Sequence, residues 1–183
     1  MTASRTAKAT ITGKIERPMD DDQNDQELEW RDTYFVLFKQ TDRPTLTQVE
    51  AAITETSKRL KLENLEADED GMFESVLVQA PQDNAAVEIS YERGEAVIEQ
   101  SAELAKQLKG ELDSKQLQQM LKSDARLDVM LFERVRTVSF GDEDDEDWET
   151  SSLDPSSLLN VVEALAKLTG GLPIDPASGA ILS

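Results

Sequence analysis

From Thr33 to Val138 the apolar pattern runs strand, helix, strand, strand, helix, strand. That order predicts an α+β fold of the ferredoxin-like (split β-α-β-β-α-β) type, an antiparallel sheet carrying two helices on one face. Runs of strand length alternate with stripes at 3.6-residue spacing, and turn residues separate them. The chain has 183 residues, 38% of them apolar. A chain of that size buries roughly 70% of its unfolded surface, enough for a core without metal or disulfide. The same patterns add a weak extra N-terminal strand before this body, and a C-terminal helix plus short hairpin after it.

Each element has its own signature. Ala9 to Arg17 places Ile11 and Ile15 on one face among polar residues, the pattern of a weak edge strand. Asp32 to Lys39 carries Tyr34, Phe35, Val36, Leu37 and Phe38, apolar on both faces as in a central strand. Pro44 opens a helix to Leu60, with Leu46, Val49, Ile53 and Leu60 on one stripe. Glu66 to Gly71 is a polar turn. Phe73 to Gln79 and Ala85 to Glu92 form a hairpin across Pro81-Gln82-Asp83-Asn84, and Val87, Ile89 and Tyr91 alternate with polar residues. A helix follows Gly94, with Val97, Ile98, Ala102, Ala105 and Leu108 inward and Gly110 as its cap. Asp113 and Gln116 have capping-box spacing for a shorter helix from Ser114 to Ser123, with Leu117, Met120 and Leu121 inward. Arg126 to Val138 alternates as a long strand. Asp154-Pro155 starts a last helix with Leu158, Val161, Val162, Leu165 and Leu168 inward, stopped by Gly170-Gly171. Asp175-Pro176-Ala177-Ser178-Gly179 then turns a small terminal hairpin.

The resulting organisation is 1–32, an N-terminal strand and an acidic segment expected to be partly disordered; 33–140, the α+β core; 141–152, an acidic loop; and 153–183, the C-terminal helix and hairpin packed on the core.

Charge is the second informative property. The net charge is −19, and it is unevenly spread. Met19 to Asp32 has a net −6 and Gly141 to Thr150 a net −7, so 24 residues hold −13 of the total. Dense like charge opposes helix and strand, so both segments read as loops. An acidic chain repels phosphate backbones, which argues against nucleic acid as a partner. No apolar run has the ~20 residues of a spanning helix, no membrane association is expected, and Met1 to Thr10 lacks the apolar region of a secretory signal. The expected location is cytoplasmic.

The chain contains no Cys and no His. Thiol nucleophiles, Cys/His zinc sites, the Ser-His-Asp triad and imidazole bases are excluded together. Calcium loops need Gly at the sixth position and Glu at the twelfth. Counting from Asp142 gives Asp147 and Leu153; counting from Asp20 gives Asp25 and Arg31; counting from Asp68 gives Phe73 and Gln79. All three fail. No GxGxxG or GxxxxGK[ST] phosphate loop is present. The Ser-Lys pairs Ser57-Lys58, Ser114-Lys115 and Lys122-Ser123 are sequence neighbours that do not face each other on a helix. Asp128 and Glu133 stand among apolar neighbours, but a wet strand face accounts for the first and a strand end for the second. No cofactor is expected, nor a metal site.

Trp30 and Trp148 adjoin the two acidic segments. Trp30, beside a strand, reads as packing. Trp148 lies within acids and suits an interface anchor as well as a loop pin. These features predict a non-catalytic interaction protein that presents acidic loops to a basic protein partner, an inhibitor or immunity-like protein being one form. The expected contact residues are Asp142, Glu143, Asp144, Asp145, Glu146, Asp147, Trp148 and Glu149. The alternatives are a carboxylate- or metal-dependent enzyme, or a small-molecule-binding ferredoxin-like regulatory module.

Overall fold

The computed structural model describes residues 26–136 and 156–182. The sheet begins with a long strand, β1 (Gln26–Phe38), and helix α1 (Leu46–Thr56) follows it. Strands β2 (Lys61–Ala67), β3 (Phe73–Ala80) and β4 (Ala85–Arg93) come next, then helices α2 (Glu95–Gln107) and α3 (Ser114–Leu121). Strand β5 (Ala125–Arg136), helix α4 (Ser156–Thr169) and strand β6 (Leu172–Ile174) complete the order. The six strands form one antiparallel sheet in the order β2-β3-β4-β5-β1-β6.

The fold is therefore α+β with an antiparallel sheet, but the split β-α-β-β-α-β arrangement is not what forms. That arrangement requires a helical crossover between parallel strands. Here α1 leads into β2, a strand the sequence pattern did not reveal, and β2 turns straight back into β3. With that extra strand in place, β2 to β5 run as a meander of neighbours. β1 closes on β5 instead, with β6 on its other side, both antiparallel. The helices also divide between both faces. Val49 and Ile53 of α1 and Leu158, Val161, Val162 and Leu165 of α4 pack with Val36, Val76, Val78, Val87, Ile89, Leu127 and Val129. Ala105 of α2, Leu108 at that helix's end and Met120 of α3 gather with Leu37, Leu172 and Ile174 on the opposite face. Alternation along β1 divides the cores: Tyr34, Val36 and Phe38 face one, Phe35 and Leu37 the other.

Several local expectations need correction. The loop assigned to Met19 to Asp32 is a strand from Gln26 onward. Like charge does not break it because Arg31, within the strand, bridges Glu29 and the facing Glu133 of β5. Leu28 lies opposite Arg134 and Gln26 opposite Arg136, while Arg31 bonds both Glu29 (3.2 Å) and Glu133 (2.6 Å) across a bulge. Helix α1 is shorter than Pro44 to Leu60. Thr45 caps it through a reciprocal box with Gln48, and Ser57 is extended at the far end, which frees Leu60 to join the core from outside the helix. Gly110 does not cap α2. The helix closes at Leu108, whose N–H bonds Leu104 O at 2.9 Å and whose own carbonyl takes Glu111 and Leu112. Ile98 and Leu121 are exposed, and the second inward position of α2 is Ser101 instead. The Asp113–Gln116 capping box forms as expected, and so does the α4 stripe. The terminal turn is built by Asp175, which accepts from Ala177 and Ser178 N–H and from the Ser178 hydroxyl, and Ile174 bridges to Ile181. The expected strand Ala9 to Arg17, the cap Asp154-Pro155 and the acidic residues 142–149 lie outside the described residues.

One cation ties several segments together. Arg43 is 12% exposed; its Nε and Nη2 donate to Phe73 O and its Nη1 to Asp68. Its guanidinium also lies 4.1 Å over the Tyr91 ring. The fork joins the start of α1, the β2–β3 turn and β4. Lysine has one ammonium and cannot make the planar two-point bond to a carbonyl while stacking on a ring. Arg43→Lys is expected to lower unfolding free energy by about 2 kcal/mol, measured by urea denaturation. A change under a quarter of that would show the fork is dispensable.

Gly171 marks another tight approach. A Cβ there would meet Val36 Cγ1 at 2.7 Å and the Leu37 carbonyl at 2.9 Å, because β6 is drawn close against β1. Gly110 meets nothing within 4 Å. Gly171→Ala is expected to destabilise by roughly 1–3 kcal/mol, while Gly110→Ala is expected to be neutral or stabilising by up to ~1 kcal/mol. The pair is compared in the same denaturation experiment, and equal effects would contradict this packing.

Candidate functional site

The β1–β5 register determines where the two acidic runs are rooted. Gln26, the first described residue of β1, is paired with Arg136, the last of β5. Four acids lie within six residues before β1 (Asp20, Asp21, Asp22, Asp25), and seven lie within thirteen after β5 (Asp142 to Asp147 and Glu149). The two runs thus leave the sheet from neighbouring strand ends. Six residue steps separate Arg136 from Asp142, which limits their span to about 20 Å.

The strand ends themselves are mixed in charge. On one face stand Glu27, Glu29, Asp32 and Glu133, with Arg31 among them. Asp32 accepts from the Tyr34 hydroxyl at 3.0 Å and from Thr33 N–H at 2.9 Å. On the other face, register aligns Trp30 with Phe132 and then with Ala86, and Thr33 with Met130 and then with Glu88. Trp30 is 58% exposed and Leu28 41%. The Trp30 indole N–H donates to Thr33 Oγ1 at 3.0 Å. Trp30 is therefore a surface aromatic at the root of the acidic segments, contrary to the packing role expected for it. The far end of the same face is covered, since α2 reaches Arg126 through Gln100.

The candidate catalytic carboxylates are engaged elsewhere. Asp128 is paired with Arg126 at 2.5 Å, and that guanidinium lies 4.2 Å over the Phe35 ring. Glu133 holds Arg31. Asp68, tested above as the first ligand of a calcium loop, accepts from Met72 and Asp70 N–H and from Arg43. Those bonds, led by the one from Met72, hold its carboxyl below the usual range. Tyr91 and Phe35 pack on the two cores as expected. Among the described residues, no group of three or more acids converges as a metal site. A concavity of about 550 Å³ between α1 and α4 contains Glu55 and Glu163, both exposed, and Glu163 bonds Lys167 at 2.8 Å. A second, about 330 Å³, lies beside α3 and is lined by Lys39, Lys115 and Lys122. No helix among the described residues is long and apolar enough to cross a membrane.

Comparison with known proteins finds no family model that matches the chain, and no curated protein or solved structure similar to it. The adjacency of Gln26 and Arg136 escaped sequence reasoning. The one available hint was the basic character of β5's end, Arg134 and Arg136, facing an acidic strand.

Tyr34 and Tyr91 are the only tyrosines. Burial, then the Asp32 hydrogen bond, push the Tyr34 phenol up to about 12. Burial also raises Tyr91. A raised folded value means the neutral phenol is favoured by folding. Its contribution is whole below the unfolded value near ~10 and is lost as pH rises towards the folded one. The Tyr34 phenol of the folded protein is expected to stay neutral through about pH 10, and stability should fall above that pH. A phenolate absorbance step of both tyrosines at about pH 10 in the folded state would contradict the Tyr34 environment.

Proposed function

We propose that the protein is a non-catalytic interaction protein whose acidic end receives a basic protein partner. The pairing of Gln26 with Arg136 carries this reading. It supports treating Asp20 to Asp25 and Asp142 to Glu149 as one pole, because their attachment points are adjacent. A single-signed patch raises association rates and sets orientation more than it adds affinity. Trp30 and Trp148 supply the apolar anchors such a patch needs, since charge alone gives little specificity. An inhibitor or immunity-like protein covering a basic surface is one form of this activity. The carboxylate-enzyme alternative lacks a second observation, because Asp128 and Glu133 are both tied to arginines.

The test compares three chains in pull-downs from the source lysate: the native one, one with the 142–149 acids changed to Asn and Gln, and one with Asp20, Asp21, Asp22 and Asp25 changed to Asn. The expected outcome is one basic protein captured at low salt, lost at high salt and weakened by either set of changes. Association of the purified pair should slow by about tenfold or more in each variant. If both variants capture the same partner as the native chain at both salts, the acidic pole is not the interface.

A further inference from the structure

The concavity of about 330 Å³ beside α3 has a defined frame. Along one side, Lys115, Gln118, Gln119 and Lys122 recur at three- and four-residue spacing, which places them on one face of α3. The facing side is the turn after β1, with Lys39 and Asp42, and Gly170 closes a third. These walls are fixed to one another. Gln119 Nε2 donates to the Gly170 carbonyl at 2.9 Å, and the Ser123 hydroxyl donates to the Gln119 carbonyl at 2.8 Å. The next residue, Asp124, accepts from the Gln40 N–H at 2.7 Å and from Gln40 Nε2 at 3.0 Å. Its own N–H donates to the Phe38 carbonyl. The hollow is therefore formed before anything enters it.

Its charge is opposite to that of the chain. The sequence has 38 acids and 19 bases, yet the described lining of this hollow has three lysines and one acid, Asp42. Among the described residues, no carboxylate lies within ion-pair distance of Lys39, Lys115 or Lys122, whereas Lys106 and Lys167 pair with Glu103 and Glu163 on their own helices. Three like charges around one hollow repel one another, and an anion between them relieves that repulsion. Lys39 follows the last residue of β1, roughly 40 Å along the strand from Gln26 and its partner Arg136. Charge that far away is screened at physiological salt, so the lysines dominate the local field.

We propose that this concavity binds a small soluble ligand carrying at least two anionic groups, phosphates before carboxylates. Lys115 and Lys122 are seven residues apart, about 10 Å along the helix axis, too far for one phosphate to touch both. Two or more linked phosphates span them, with Lys39 facing from the other side. An ammonium is a point donor suited to phosphate oxygens, and the described lining has no arginine to grip a carboxylate in two places. A phosphate polymer fits less well, because the acidic surface beyond the hollow repels it. The site does not rest on the partner reading above.

The test titrates inorganic tripolyphosphate into the full chain by calorimetry at about 0.15 M salt. One molecule is expected to bind per chain, more tightly than orthophosphate or citrate. Lys39→Gln/Lys115→Gln/Lys122→Gln is expected to weaken binding by about tenfold or more. The control Lys58→Gln/Lys61→Gln/Lys109→Gln alters net charge equally at exposed positions outside the hollow and is expected to leave binding unchanged. Both sets are exposed, so urea midpoints matching the native chain are expected to show that folding is intact. No binding to the native chain, or equal loss in the two triple variants, overturns the proposal. Binding that emerges only when the 142–149 acids are changed to Asn and Gln also overturns it, by assigning the hollow to the chain's own acids. Capture by vesicles of phosphatidylcholine and phosphatidylinositol bisphosphate without tripolyphosphate binding overturns it too, in favour of a lipid headgroup.

Discussion

The ladder between β1 and β5 is the constraint on which the rest of the structure depends. It joins segments about a hundred residues apart and occupies the middle of the sheet. Through β1's alternation it assigns α1 and α4 to one face and the α2–α3 layer to the other. Its charged end is balanced within the ladder, with Arg31 answering Glu29 and Glu133. Its covered end is fixed by Arg126, which pairs with Asp128 and lies over Phe35. The two ends therefore differ in kind. One is sealed by helices, and the other presents Trp30 and the attachment points of both acidic runs.

Sequence patterns were most legible where apolar periodicity was strong. The β3–β4 hairpin, the alternation of Leu127, Val129 and Leu131, and the stripe of α4 all show a clear difference between buried and wet faces. β2 was not legible because it is an edge strand with almost nothing to bury. Lys-Leu-Glu-Asn-Leu-Glu-Ala is mostly exposed, and Asn64 takes a left-handed conformation (φ 51°) at an irregularity in its pairing. Without β2, the remaining pattern from Thr33 to Val138 reads as the split β-α-β-β-α-β order. Residues 26–32 form strand despite their acids because Arg31 among them bridges Glu29 to Glu133, a residue encoded a hundred positions later. Strand partners at that separation leave no local trace, so the adjacency that supports the functional reading was beyond the sequence. Exposed Trp30 followed the same logic: neighbouring a strand does not determine which face a side chain occupies.

An acidic chain also uses its few internal cations sparingly and structurally. Arg43 and Arg126 are both 12% exposed, and each combines a carboxylate with an aromatic face. Burying a guanidinium is tolerable only when its donors are satisfied and its flat surface meets a ring. Arg43 meets that demand with the Phe73 carbonyl as well, so it joins a helix start, a turn and a strand by one side chain. The acidic surface is thus assembled around basic joints.

The distance along the chain between β1 and its partner has a consequence for how the protein is made. Phe38 leaves the ribosome well before Ala125, and synthesis at ~5–20 residues per second separates the two by about 4–17 seconds. During that interval β2, β3 and β4 can pair as a meander, while the apolar run from Tyr34 to Phe38 waits without a neighbour on either side. Closure of the sheet then depends on a long loop rather than on a local turn, which makes it the slow event in folding. For those seconds the nascent chain carries an unpaired strand, flanked by Glu27, Glu29 and Asp32, charges of the kind that oppose edge-to-edge association.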